Sequence, residues 1–142
     1  MRYLGLDLGS RTLGIAVSDK QGVIASTYKT IRHDEDYEML LDEVVKLVDE
    51  LEIEAIVLGF PKNMNNTIGP KGELSLEFKD KLEKKVEIPV FLQDERLSTK
   101  AATDMLISGN VSRKNRKKVV DSVAATIILQ TYLYRSESKD EK

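Results

Sequence analysis

The sequence predicts one α/β domain with a mixed β-sheet, in which three antiparallel strands are followed by parallel strands and flanking helices. Two observations lead to this fold class: three short strand candidates come first, and helices and strands alternate after them. A chain of 142 residues fits one domain and can build a hydrophobic core without metal or disulfide staples. We assign residues 1–135 to this domain and expect residues 136–142, which are charged and lack apolar side chains, to be disordered.

Residues 2–19 predict a β-hairpin that carries one carboxylate, Asp7, in an otherwise apolar strand. An aspartate in a buried strand is desolvated unless a partner or a cation compensates its charge. Gly5, Gly9 and Gly14 leave room for another backbone or a ligand to come close. Asp7 is therefore either a metal ligand at a phosphate-handling site or a strand-end residue in a turn. The hairpin consists of Tyr3, Leu4, Leu6 and Leu8 in the first strand, a turn at Gly9–Thr12, and Leu13, Ile15, Ala16 and Val17 in the second strand.

The rest of the chain alternates helices and strands, which we identify from apolar periodicity and from turn residues. The predicted elements are a strand at Val23–Tyr28, a charged loop at Arg32–Asp36, a helix at Tyr37–Leu51, a strand at Ala55–Leu58, a long loop at Gly59–Gly72, a helix at Glu73–Val86 and a strand at Ile88–Leu92. A helix capped by Ser98 and ended by Gly109, a basic loop at Val111–Lys118 and a final helix at Lys118–Arg135 follow.

Composition excludes several classes of function. The chain has no cysteine, so it has neither a disulfide framework nor a thiolate site. Its net charge of −2 argues against nucleic-acid binding by the whole surface but allows a local basic patch. The single histidine, His33, lies in a polar run and is interpreted as a solvated loop residue, which argues against Ser–His–Asp catalysis. The chain shows no signal peptide and no apolar run of membrane length, so we expect a cytoplasmic protein without membrane contact.

Acidic residues from distant parts of the chain are the main candidates for chemistry: Asp7, Asp94 or Glu95, and Asp121. Ligands of open α/β sheets gather at the carboxyl ends of parallel strands, so the carboxylates meet if the first and last strands are parallel neighbours. Asp121 shares the helix face expected to pack on the sheet. The other members of that face are Ala124, Ala125, Ile128 and Tyr132.

Three converging carboxylates suit Mg²⁺ or Mn²⁺, which could activate water against a phosphodiester. Scattered structural acids are the alternative, with Asp121 stabilised by the dipole at a helix N-terminus. Because adjacent strand residues face opposite sides, the choice between Asp94 and Glu95 stays open.

Basic residues next to the acids indicate a polyanionic ligand. The run Arg113–Lys118 directly precedes the helix that carries Asp121, where phosphate contacts would fix the position of a substrate. The structural alternative for the run Arg113–Lys118 is a solvated charged loop. For Arg11, Lys62 and Asn63 it is a plain turn or connection, and for Arg96 it is an ion-pair partner of the acids. The candidate nucleic-acid contacts are Arg11, Lys62, Asn63, Arg96, Arg113, Lys114, Arg116 and Lys117.

Four segments together resemble the YqgF family, whose members are described as pre-16S ribosomal RNA nucleases or Holliday junction resolvases. They are LGLDLGSRTLGIAVSD at residues 4–19, GFPKNMNNTIGP at 59–70, QDERLSTKAA at 93–102 and DSVAATIILQTYL at 121–133. The resemblance implies an RNase H-like fold and metal-dependent phosphodiester hydrolysis, with Asp7, Glu95 and Asp121 as the catalytic and metal-binding acids. Many members have glycine where Asn66 stands, which concerns the shape of the long loop and not the acids.

The expected function is 5′-end processing of precursor 16S rRNA by a metal-dependent endo- or exonuclease that uses Mg²⁺ or Mn²⁺. Resolution of four-way DNA junctions is the alternative, and it would require a homodimer, whereas a trimming nuclease could act as a monomer. A phosphotransferase of the actin or sugar-kinase type would normally need two such domains. A non-catalytic RNA-binding module for ribosome assembly is the third alternative, in which the acids are structural.

Overall fold

The structure, a computed structural model, describes residues 1–9, 11–61, 68–94 and 123–133. It confirms the predicted α/β class with a five-stranded mixed sheet of order β3-β2-β1-β4-β5. Strands β1, β2 and β3 pair antiparallel, and β4 pairs parallel with both β1 and β5. The elements are β1 (Tyr3–Leu8), β2 (Thr12–Ser18), β3 (Ala25–Arg32), α1 (Tyr37–Glu50), β4 (Ala55–Phe60), α2 (Pro70–Glu83) and β5 (Val90–Asp94), and residues 123–133 are helical.

Alternating side chains give the sheet two apolar faces, each covered by helix. Apolar residues of α1 and α2, among them Leu41 and Phe78, pack with Leu6 and Leu58 on one face, here called the α1/α2 face. On the other face, segment 123–133 packs through a second cluster, which consists of Ala16, Val57, Ala125, Ile128, Leu129 and Leu133. This three-layer arrangement buries the middle of the sheet and leaves the strand ends to form a site.

Helix α1 follows from its local sequence. Asp36 caps its N-terminus by accepting a hydrogen bond from the Met39 backbone N–H at 3.1 Å. Leu40, Leu41, Val44 and Leu47 are buried on its inner face, as the apolar spacing predicted.

Several element bounds differ from the prediction. Strand β3 begins at Ala25 because the Asp19 carboxylate accepts hydrogen bonds from the backbone N–H groups of Val23 and Ile24, which belong to the preceding turn. It continues to Arg32, which was predicted to lie in the charged loop. Helix α2 begins at Pro70 rather than Glu73, since proline fits the first helical position although it also resembles a loop signal.

The carboxyl-terminal parts of β4 and β5 also extend beyond their predicted ends. Gly59 and Phe60 pair in parallel with Gln93 and Asp94, so each strand is two residues longer there than its apolar run indicated. The helical residues 123–133 agree with the predicted final helix. The predicted helix between Ser98 and Gly109, the basic loop and the C-terminal tail lie outside the described residues. In the parts of the chain that are described, no helix has the length and apolar character needed to cross a membrane.

Candidate active site

The structure describes two of the sequence-predicted acids, Asp7 and Asp94, each at a strand end. Asp7 is the penultimate residue of β1 and is half-buried. Its Cα partner on β2 is Gly14, and the register of β1 with β4, continued by one residue beyond Leu6 and Leu58, puts Gly59 on its other side. Both lateral neighbours of Asp7 therefore lack a side chain, so no side chain of an adjacent strand stands beside the carboxylate at its own level.

Segment 123–133 packs directly against the strand face that carries Asp7. A Cβ atom built on Gly5 would lie 2.7 Å from the Leu129 Cβ and 3.2 Å from the Ala125 carbonyl oxygen. Only glycine permits this approach of helix to strand, as the glycine-rich hairpin predicted. Because side chains alternate along β1, Asp7 projects from the same face as Gly5.

The burial pattern of segment 123–133 confirms the predicted packing face. Ala124, Ala125 and Ile128 are buried, and the Tyr132 ring lies 5.9 Å from the Tyr3 ring. Tyr132 thus lies over the start of β1, while Ala125 lies over Gly5. The helix therefore runs antiparallel to β1, and its N-terminal end points toward Asp7.

Strand β4 separates β1 from β5, so the first and last strands are parallel but are not neighbours. Two strand spacings put their carboxyl ends about 10 Å apart. The sequence predicted that the carboxylates meet if these two strands are parallel neighbours, and they are not neighbours. In β5, Gln93 pairs with Gly59 on the face of Asp7 and is buried, whereas Asp94 pairs with Phe60 on the α1/α2 face.

His33 was predicted to be a solvated loop residue, and this prediction is wrong. The side chain is only 6% exposed, because both ring nitrogens have backbone partners. Its Nδ1 accepts a hydrogen bond from the Glu35 N–H at 3.0 Å, and its Nε2 lies 3.1 Å from the Gly9 carbonyl oxygen. The ring also packs against Tyr37 at a centroid distance of 5.4 Å. His33 thereby ties the end of β3 to the hairpin turn that follows Asp7.

Tyr37 begins α1 beside this histidine. Burial, together with the nearby Glu35 carboxylate, raises the pKa of the Tyr37 phenol above its ordinary value, so the phenol stays neutral. No spacing rule in the sequence connects His33 to Gly9, 24 positions earlier in the chain.

Arg11 is the predicted nucleic-acid contact that the structure describes. Its guanidinium lies 3.5 Å from the Asp34 carboxylate, with both side chains well exposed. Among the described residues, no group of three His, Cys, Asp or Glu side chains is placed to hold a metal ion. The other predicted site residues lie outside the described residues: Lys62, Asn63, Glu95, Arg96, Arg113, Lys114, Arg116, Lys117 and Asp121.

Comparison with known proteins identifies the relatives of this chain. It is 54% identical over 134 residues to a Geobacillus protein and 55% identical over 136 residues to a Bacillus licheniformis protein. Both are named "Putative pre-16S rRNA nuclease"; the matches cover 94% of this chain and 97% and 96% of those proteins, respectively. RuvC of Thermus thermophilus, solved in complex with a Holliday junction substrate, shares the fold at a TM-score of 0.61 and 16% identity, over 96% of each chain.

The likeness to RuvC confirms the RNase H-like fold that the sequence resemblance implied. The model of one family, RuvX, described as Holliday junction resolvase, matches residues 1–135. This match and the curated relatives confirm the resemblance to the YqgF family. The chain belongs to the RuvX family.

Proposed function

We propose that this protein is a metal-dependent nuclease that hydrolyses phosphodiester bonds during 5′-end processing of precursor 16S rRNA. The observation that carries the proposal is the setting of Asp7. Its half-buried carboxylate stands at the carboxyl end of β1, between glycine positions and on the face that segment 123–133 covers. Strand β1 is also the point at which the strand order reverses, because β2 and β3 are added on one side of it and β4 and β5 on the other. Ligands of open α/β sheets bind at such a point.

We place Asp121 with Asp7 in this site. Position 121 precedes Ala125 by four residues, or about one helical turn of 5.4 Å. Asp7 follows Gly5 by two strand residues, or about 6.6 Å. Since Ala125 packs over Gly5, a helix that continues to position 121 brings its carboxylate toward Asp7.

We choose Glu95 rather than Asp94 as the third acid. Asp94 is level with Phe60 on the α1/α2 face, away from Asp7. Gln93 is on the face of Asp7, and strand alternation would return position 95 to that face. The separation of about 10 Å between the ends of β1 and β5 leaves room for cations and a phosphodiester between the carboxylates.

The donor set fits Mg²⁺ or Mn²⁺, because carboxylate oxygens are the hard ligands these ions prefer, and the half-buried Asp7 side chain remains accessible. Bound divalent ions would polarise the phosphodiester and lower the pKa of an attacking water. The protein residues would hold the ions, with the glycine positions beside Asp7 admitting the substrate backbone.

Relatives at 54% and 55% identity that are named for pre-16S rRNA support RNA as the substrate. Four-way DNA is the second candidate, because the family description names junction resolution and the RuvC likeness extends over the whole domain. A resolvase would cut two strands with two paired sites, so this alternative predicts a homodimer.

A cleavage assay tests the proposal on two substrates, a precursor 16S RNA with its 5′ extension and a four-way DNA junction. Each is incubated with Mg²⁺ or Mn²⁺ and, separately, with a chelator. We expect metal-dependent cleavage of the RNA and at least about a 10³-fold loss in Asp7→Asn, whose fold is checked by circular dichroism. Asp94→Asn is the matched control, because its carboxylate lies on the opposite face, and it should cleave at the parent rate.

Equal cleavage by parent and Asp7→Asn would contradict the metal site. Cleavage of the junction alone, by a dimer, would replace RNA processing with junction resolution. RNA binding without any cleavage would favour the non-catalytic ribosome-assembly module.

A further inference from the structure

A groove beside the hairpin turn is lined by two cationic side chains, one from the turn and one from the end of β3. It has a volume of about 330 Å³, and its described lining residues are Arg11, Arg32, His33 and Asp34. Arg11 belongs to the β1–β2 turn and Arg32 is the last residue of β3. The groove therefore lies between the turn that follows β1 and the segment that leads from β3 into α1.

Arg32 projects from the same sheet face as Asp7. Its Cα partner on β2 is Thr12, and Gly14, two residues along β2, is the partner of Asp7. Because cross-strand partners share a face and residues two apart on a strand share a face, Thr12, Gly14, Asp7 and Arg32 all lie on one side. Strand β3 is two strands from β1, and Arg32 is two residues beyond the level of Asp7, so its Cα stands about 10 Å to the side of the Asp7 Cα and about 7 Å further along.

His33 ties together the two backbone segments that carry Arg11 and Arg32. Its backbone N–H donates to the Arg11 carbonyl oxygen at 2.9 Å. Its Nδ1 accepts from the Glu35 N–H, so the ring proton is on Nε2, which donates to the Gly9 carbonyl oxygen at 3.1 Å. The positive charge of the groove comes from the two arginines.

The Arg11 guanidinium is available to a stronger anion than its present partner. Its ion pair with Asp34 spans 3.5 Å between side chains that are 71% and 95% exposed. Exposed pairs of this kind contribute little, because water and salt screen them. A phosphate accepts two parallel hydrogen bonds from a guanidinium and would displace the carboxylate.

We propose that Arg11 and Arg32 together bind a backbone phosphate of the nucleic-acid substrate, beside the phosphodiester held at Asp7. The inference rests on the proposed nuclease function and adds a second anchoring point, with Arg32 as a contact that sequence reasoning did not identify. Asp34 lines the groove and pairs with Arg11 in the free protein, so its carboxylate competes with the phosphate. The groove fixes the position of the strand without reading its sequence.

The test uses fluorescence anisotropy with a labelled single-stranded fragment of precursor 16S RNA, in the presence of a chelator and over a series of salt concentrations. We expect Arg32→Ala and Arg11→Ala each to weaken binding about tenfold and to reduce the salt slope by about 0.7. Asp34→Asn should tighten binding, because it removes the competing carboxylate. Lys29→Ala is the matched control, since Lys29 is an exposed cation of the same strand whose partner, Ile15, faces the α1/α2 side.

Unchanged affinity and salt slope in both arginine variants, with a parent that cleaves RNA, would overturn the groove and leave the proposed function intact. A parent that neither binds nor cleaves nucleic acid would overturn both. Binding that depends on Arg11 and Arg32 in a parent without cleavage would support the groove and contradict the nuclease. If Lys29→Ala weakened RNA binding as much as Arg32→Ala, the loss would reflect the removal of any positive charge from β3. That result would overturn the specific site.

Discussion

At the scale of single residues, Asp19 shows how one carboxylate organises a turn. Its Oδ1 accepts hydrogen bonds from the backbone N–H groups of Val23 at 2.8 Å and Ile24 at 3.1 Å. These bonds favour the ionised form and lower the pKa of Asp19 below its ordinary value. The carboxylate therefore stabilises the folded state fully at every pH above the pKa that Asp19 has in the unfolded chain. This stabilisation is lost as the pH falls through the lower pKa that Asp19 has in the folded state.

The substitution Asp19→Asn should consequently lower the melting temperature near neutral pH. The difference from the parent should shrink as the pH falls below about 4, because the parent carboxyl then protonates as well. Thermal unfolding followed by circular dichroism at about pH 7, 5 and 3 measures it. A difference that stays constant over this range would show that the charge of Asp19 has no part in holding the turn.

His33 marks the limit of sequence reasoning at this scale. Composition and neighbours predicted an exposed residue, since the run Arg32–Asp36 is polar throughout. The structure buries the ring because two backbone groups, the Glu35 N–H and the Gly9 carbonyl, satisfy both of its nitrogens. One of these partners is 24 positions away in the chain. Burial of a polar side chain depends on such distant partners, and no local pattern contains them.

At the scale of elements, the contact of segment 123–133 with β1 depends on Gly5. The substitution Gly5→Ala would bring a Cβ atom to 2.7 Å from the Leu129 Cβ and 3.2 Å from the Ala125 carbonyl oxygen. Both obstacles are at or next to the backbone, so no side-chain rotation relieves them. We expect the free energy of unfolding to fall by about 1–3 kcal/mol.

Urea denaturation of Gly5→Ala measures this change, with Ser26→Ala on the exposed strand β3 as the control that should match the parent within about 0.5 kcal/mol. An unchanged midpoint in Gly5→Ala would mean that the helix does not pack against β1 as closely as described. A shifted helix should also reduce cleavage, because the segment leads directly to Asp121.

The elements themselves were largely predictable, and their ends were less so. Apolar periodicity located α1 within one residue, since its buried face and the Asp36 cap agree. Periodicity failed at Gly59–Phe60 and at Pro70, where glycine and proline suggested a loop. Pairing with β5 overrides that signal in the strand, and the tolerance of proline at a first helical position overrides it in the helix.

At the scale of the whole molecule, strand order decides how the acids can cooperate. The sequence predicted that carboxylates gather at the carboxyl ends of parallel strands, and Asp7 is at such an end. It contained no signal that β4 lies between β1 and β5, because strand order follows from how the helices cross the sheet. The family resemblance, rather than periodicity, favoured Glu95 over Asp94; of the two, the structure describes Asp94, which lies on the α1/α2 face.

A metal site formed by the folded chain should be measurable without any substrate. Ions that bind only the folded state raise its stability by mass action, and Mn²⁺ at ten times its dissociation constant would add about 1.4 kcal/mol. For a domain of this size, that corresponds to a rise in melting temperature of roughly 4 °C. The rise should saturate with Mn²⁺ in the parent, disappear in Asp7→Asn and persist in Asp94→Asn, whose carboxylate lies on the other face of the sheet. An equal rise in Asp7→Asn would locate the bound ions elsewhere on the acidic surface and separate Asp7 from metal binding.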